Sequence, residues 1–123
     1  RRFFKMAAPN IVNVATITGK SVTGALGTST ATLLQNSASS NKVFKINTIL
    51  VSNVDGTNSA TAAISLYDGT DRYIAKGITV PAGATVVLID KNSSLYLEED
   101  RIIRGDASAA GDLEFIISYE EIS

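Results

Sequence analysis

The side chains in this chain that could carry chemistry are few and bear oxygen. Glu98, Glu99 and Asp100 stand in a row, the tetrapeptides Asp55-Gly56-Thr57-Asn58 and Asp68-Gly69-Thr70-Asp71 resemble each other, and Tyr67, Tyr73, Tyr96 and Tyr119 are the only aromatics with a polar handle. Three chemistries follow. Carboxylates held ~5–9 Å apart would hydrolyse a glycosidic bond. Asp and Asn oxygens converging in a tight loop would hold a hard cation such as calcium. Tyrosine faces would stack on sugar rings and make a glycan-binding surface.

Each pattern has a plainer reading. A calcium loop of the EF-hand kind needs a longer ligand series closed by a bidentate Glu, and neither Asp-Gly-Thr segment has one. Both read as hairpin turns, in which Gly accepts positive φ and Asp closes the turn with its side chain. Three adjacent acids are the composition of a solvated loop, with no second acid or aromatic platform around them. The 123 residues contain no His, no Cys and no Trp. Ser-His and Cys-His pairs and any histidine acid-base step are therefore outside this chain's means. The expectation is a non-enzymatic protein with no catalytic residue, metal or cofactor, and a glycan-binding adhesion module is the alternative from another class.

Charge narrows the partners. The formal net charge is −1, but Arg1, Arg2 and Lys5 sit in the first five residues and leave 8 basic against 12 acidic residues in the remainder. A slightly acidic body is a poor nucleic-acid surface, so no nucleic-acid partner is expected. The longest strongly apolar run, Thr85-Val86-Val87-Leu88-Ile89, falls far short of the ~20 residues of a membrane helix, and no membrane partner is expected.

The elements that must position these residues read as strands and turns. Ile11 to Thr18 is β-branched or small, and Gly19 breaks the run. Gly24-Ala25-Leu26-Gly27 punctuates before a Thr-rich strand over 28–35, and residues 36–41 have loop composition. Over 42–54, period two puts Phe44, Ile46, Leu50 and Val54 on one face and Lys45, Asn47 and Asn53 on the other. Ile49 and Val51 break that alternation, which predicts a bend, a bulge or burial of both faces. Ala62, Ile64 and Leu66 alternate inward, and 72–76 makes a short return strand. Val80-Pro81-Ala82-Gly83 is a turn before a buried-looking Val86 to Ile89. Leu95 and Leu97 flank Tyr96, 101–107 is a strand, and Ser108-Ala109-Ala110-Gly111 is its turn. The closing strand puts Leu113, Phe115, Ile117 and Tyr119 on one face, with Asp112, Glu114, Ser118 and Glu120 on the other. Eight or nine strands at this spacing, without a helical moment, predict an all-β fold of two facing sheets, of Greek-key or jelly-roll type with the strand order left open; the expectation is a jelly-roll-like β-sandwich over 11–123, behind an N-terminal arm of residues 1–10.

The arm carries the interaction expectation. Met6-Ala7-Ala8-Pro9 suits an exposed start, so residues 1–5 read as an upstream extension. Phe3 and Phe4 can dock on a neighbouring subunit, where buried aromatic area offsets the cost of ordering. Phe3, Phe4, Ile11, Val12 and Val14 are the expected protein-interaction residues.

From Lys42 onward the segments Phe44-Lys45-Ile46-Asn47-Thr48-Ile49-Leu50-Val51-Ser52-Asn53-Val54-Asp55-Gly56, Ile64-Ser65-Leu66-Tyr67-Asp68-Gly69, Val80-Pro81-Ala82-Gly83, Leu95-Tyr96-Leu97-Glu98-Glu99-Asp100 and Phe115-Ile116-Ile117-Ser118-Tyr119-Glu120-Glu121 follow in order. Together they resemble small virion structural proteins of tailed bacteriophages of the marine cyanophage type, over about two thirds of the chain. The resemblance implies a β-sandwich present in many copies on the virion. Capsid decoration, or cement, is the first choice and a neck or tail component the competitor. The partners it implies are the major capsid protein or other virion proteins and further copies of the chain. Thr- and Ser-rich strands, with small residues such as Ala60, Ala62 and Ala63, suit flat packing between subunits.

Overall fold

Across β9 (Leu113–Ile122), Leu113, Phe115, Ile117 and Tyr119 are buried while Glu114 and Ile116 face solvent, as the two-residue side-chain period of a strand demands. The computed structural model describes residues 16–123, which form nine strands and no helix. The others are β1 (Ile17–Ala25), β2 (Ala31–Asn36), β3 (Val43–Asn53), β4 (Ala60–Tyr67), β5 (Asp71–Val80), β6 (Thr85–Ile89), β7 (Leu95–Leu97) and β8 (Arg101–Ala107).

They make two antiparallel sheets. One has the order β1-β9-β3-β6, with β7 also on β3; the other has the order β2-β8-β4-β5. β6 and β7 lie end to end along one edge of β3, since Ser52 to Ile49 pair with Thr85 to Ile89 and Ile46 to Phe44 pair with Leu95 to Leu97. They are two halves of one edge strand, separated by a loop in which Asp90 accepts the Asn92 N–H at 2.8 Å. With those halves joined, β1 pairs β9, β2 pairs β8, β3 pairs β6 and β7, and β4 pairs β5. That is one long hairpin rolled onto itself, the topology of a jelly roll. Between the sheets lies a single core that includes Ile46, Ile49, Val51, Ile64, Val80, Leu97, Ile103, Leu113 and Ile117, and the Tyr119 ring packs 5.0 Å from that of Phe44.

A rolled hairpin crosses between its sheets in pairs of neighbouring corners, and each pair here is bonded together. The β1–β2 and β8–β9 corners share bonds from Ala107 N–H to Gly27 O and from Leu26 N–H to Leu113 O, both 2.8 Å. Asn36 ends β2 fully buried, and its Nδ2 donates to Lys42 O and Leu97 O, both 2.9 Å away, tying the β2–β3 corner to the β7–β8 corner. Asn53 ends β3 in the same way, donating to Asn58 O at 2.9 Å and Val80 O at 3.0 Å, and so tying the β3–β4 corner to the β5–β6 corner. Buried carbonyls at a chain reversal need such partners, because a lost hydrogen bond there is not replaced by water.

The structure departs from the sequence reading at several places. Gly19 does not end a strand: β1 begins at Ile17 and runs through Gly19 and Gly24 to Ala25. Gly24 lies beneath Phe115, whose Cε1 would stand 3.0 Å from any added Cβ. In β3 the bulge alternative holds: Asn47 is an extra residue between Ile46 and Thr48 against β9, whereas the shift between Ile49 and Leu50 against β6 places its extra residue, Leu88, in β6. The extra residue in β3 reverses the facing beyond it. Ile49, Val51 and Asn53 therefore point inward, while Leu50 is half-buried and Val54 exposed on the other side. The Asp55 turn joins β3 to β4 in different sheets, so it is an arch; only the Asp68 turn closes a hairpin, between β4 and β5. The return strand is longer than 72–76, because two bulges and the positive φ of Gly77 keep β5 in register to Val80. Val87, in the segment that looks buried, lies in an edge strand with its side chain exposed.

Candidate interaction surface

The outer face of the β1-β9-β3-β6 sheet is a grid of side chains fixed by register. Thr23 stands opposite Ile116, Ile116 opposite Leu50, and Leu50 opposite Val87, giving one continuous row across four strands. Ile116 and Val87 are 39% and 55% exposed, a large apolar area for positions that nothing in the fold requires to be apolar. Hydroxyls flank the row. On one side Ser21, Ser118 and Thr48 align, with Ser21 Oγ 3.0 Å from Ser118 Oγ. On the other side lie Ala25, Glu114, Ser52 and Thr85, with Ser52 Oγ 3.1 Å from Thr85 Oγ1. A shallow groove of about 390 Å³ runs over this region, lined by Thr23, Ala25, Ser52, Glu114 and Ile116 among others.

The outer face of the second sheet is polar and knitted. Asp71, at the start of β5, accepts from Ser65 Oγ at 2.8 Å and from Arg104 Nη2 at 2.9 Å. The Arg104 guanidinium lies 4.2 Å from the centre of the Tyr67 ring, and Lys76 Nζ lies 4.8 Å from that of Tyr73. Each ring thus already carries a cation on one face. Tyr119 is buried and Tyr96 stands alone on the other sheet. The four tyrosines therefore do not assemble into one stacking platform for a sugar.

Two of the carboxylates singled out in the sequence, those of Glu99 and Asp55, are engaged by the fold. Glu99 Oε2 accepts the Asn41 N–H, fixing the β2–β3 corner to the β7–β8 corner, while Glu98 and Asp100 are exposed beside it. Asp55 accepts from the Thr57 and Asn58 N–H groups at 2.8 and 3.3 Å and from Asn58 Nδ2 at 3.3 Å. These bonds, the one from Thr57 foremost, hold its carboxyl below the usual range. Among the described residues no three acidic side chains converge on a point where a metal ion would sit. At the open end of the sandwich Glu121 takes Lys20 and Lys42 together, each at 3.1 Å. Burial there pushes its carboxyl up, but the two lysine bonds and charges outweigh it and leave it below its ordinary value.

Of the residues expected to make protein contacts, Phe3, Phe4, Ile11, Val12 and Val14 all lie outside the described residues. Ala60 and Ala62 face the core, and only Ala63 among the three small residues is partly open. Sequence reasoning missed the Thr23-Ile116-Leu50-Val87 row because its members come from four separated strands. The one available signal was Ile116, an apolar residue on the polar side of an otherwise clean alternation.

Comparison of the chain with protein-family models, with curated proteins and with solved structures returns no match. What the fold and surface define is a class: an all-β jelly-roll sandwich with one outer face that is apolar along its middle and hydroxyl-rich at its margins.

Proposed function

We propose that this chain is a non-enzymatic structural protein of a tailed-bacteriophage virion, and that it decorates the capsid by binding where capsomers meet. The observation that carries the reading is the outer face of the β1-β9-β3-β6 sheet. Its apolar row and hydroxyl margins have the composition of an interface core with a polar rim, and its exposed apolar residues gain by being covered. The ordered run of strand-and-turn motifs from Lys42 to Glu121, which resembles small virion proteins, supplies the setting. A cement protein needs no active site. It needs many copies, because individually weak contacts become firm when an ordered lattice holds several at once.

The test is immunogold electron microscopy of purified virions of the phage that encodes the chain. Even labelling over the head is the expected result. Labelling confined to the neck or tail would reassign the protein to the connector or tail machinery, and unlabelled particles would overturn the virion reading. A glycan array run with the same protein should give no sugar-dependent signal; a specific sugar would point to the adhesion module instead.

A further inference from the structure

The four sheet edges are not equivalent. β2 is 6 residues long with a register shift at Thr32/Leu34, β5 carries two shifts, and the β6–β7 edge is cut by the loop after Ile89. Short strands, bulges and interruptions are the devices that stop an edge from pairing with another chain. β1 has none of them. Its 9 residues pair with β9 in unbroken register, and all but one are exposed.

The direction of its free backbone groups follows from the ladder. Thr16 and Ser123 exchange N–H···O bonds at 3.1 and 3.0 Å, and Leu26 N–H donates to Leu113 O at 2.8 Å, so the even-numbered residues bond to β9. In an antiparallel strand the alternate residues point the other way. Ile17, Gly19, Ser21, Thr23 and Ala25 therefore aim N–H and C=O at the open edge, where no strand among the described residues pairs with them.

We infer that β1 is a docking edge for β1 of a second copy of this chain, antiparallel about a twofold axis at Ser21. That register sets Ser21 against its own counterpart, Gly19 against Thr23, and Ile17 against Ala25, so every outward residue exchanges bonds with an outward residue. The small side chains at Gly19, Ser21, Thr23 and Ala25 leave the approach clear. The strand bears a single charge, Lys20, which is held by Glu121 of its own chain and in this register faces Val22. An acidic or basic peptide would find no free counter-charge on this edge, whereas an identical strand matches it in length, polarity and neutrality. Pairing would carry the apolar and hydroxyl rows across both copies as one sheet. The inference stands on β1 alone and does not need the virion reading.

A single edge pairing buries less than the ~1,200 Å² of a standard interface, so the dimer is concentration-dependent. Sedimentation of the full chain should show the 12.9 kDa monomer converting to a species of twice that mass as concentration rises toward ~100 µM. Ser21→Pro removes an outward N–H that no strand among the described residues pairs with, and should weaken association at least ~tenfold. Ser21→Lys and Ser21→Glu keep the backbone groups but set like charges opposite each other at the axis. Each should be monomeric alone, and an equimolar mixture should dimerise. A wild type that stays monomeric, a dimer indifferent to all three changes, or a charge-swapped mixture that fails to pair would each overturn the inference. Unchanged circular dichroism in the two charged variants guards against a folding artefact.

Discussion

Replacing Asn53 by Ala tests whether the corners are held as the structure describes. The side chain is 3% exposed. Its Nδ2 serves Val80 O at 3.0 Å and Asn58 O at 2.9 Å, and its Oδ1 accepts the Asp55 N–H at 2.9 Å. Truncation orphans the Val80 carbonyl in the interior, at ~1–3 kcal/mol, whereas the other two groups lie where water can reach and lose at most ~0.5–1.5 kcal/mol each. The expected destabilisation is ~2–4 kcal/mol, and in a domain of this size that lowers Tm by ~8–15 °C. With no Trp, urea unfolding is followed by tyrosine fluorescence and far-UV circular dichroism, and the denaturant slope should not change. Asn58→Ala is the matched comparison, because that side chain reaches only the exposed Asp55 Oδ2 at 3.3 Å, and it should cost ~0.5 kcal/mol or less. If Asn53→Ala and Asn58→Ala fell within ~0.5 kcal/mol of each other, the corner would be held by backbone and packing alone. The assigned role of Asn53 would then be wrong, and with it that of Asn36.

Three further outcomes are expected. Gly105→Ala places a Cβ 2.6 Å from Ile64 Cδ1 and 3.0 Å from both Ala63 O and Leu33 Cδ1, so overpacking between β8 and β4 should cost ~1–3 kcal/mol in urea unfolding. Glu121 has its carboxyl held below the ordinary 4.5, so the stability it contributes is complete above that value and is lost as pH falls through the lower folded-state value. The gap in Tm between the wild type and Glu121→Gln, present at neutral pH, should therefore close on acidification below 4.5. Deleting residues 1–10 should weaken binding to purified particles while leaving the melting curve unchanged, and undiminished binding would remove the arm from the interaction.

Where side chains obey one period over a whole strand, the fold was legible in the sequence. β8 has the expected bounds and β9 the expected faces, because the extra residues in their pairings, Leu33 and Asn47, lie in the partner strands β2 and β3 and leave their own alternation unbroken. β3 was legible only in part: its alternation is broken by a bulge at Asn47, and sequence cannot say which residue is the extra one, so Leu50 and Asn53 exchanged faces. Asn36 and Asn53 read as loop or surface residues because asparagine is common in both settings. Their burial depends on carbonyls of Leu97 and Val80, far away in the chain. The strand order was not legible at all, since each corner looks like any other turn until its neighbouring corner is known. The interaction surface suffers from the same non-locality, its rows being assembled across strands.

That non-locality bears on how a lattice protein would be kept from assembling too early. β1 and β9 come from opposite ends of the described chain, yet they lie side by side, and the apolar row crosses both before reaching β3 and β6. A partly folded chain lacks β9 in place, so it has neither the row nor a β1 edge held in register. Non-local pairing of this kind must meet the entropy of closing a long loop before it gains contacts. β1 carries two glycines among its nine residues and has little intrinsic preference for an extended form away from β9. On the pairing inferred above, the β1 edge would therefore arise only when the hairpin has rolled up completely, while the other edges carry bulges or a break. Assembly through β1 and its sheet face would accordingly be restricted to finished subunits, with its direction set by the one edge among the described residues that no bulge or break interrupts.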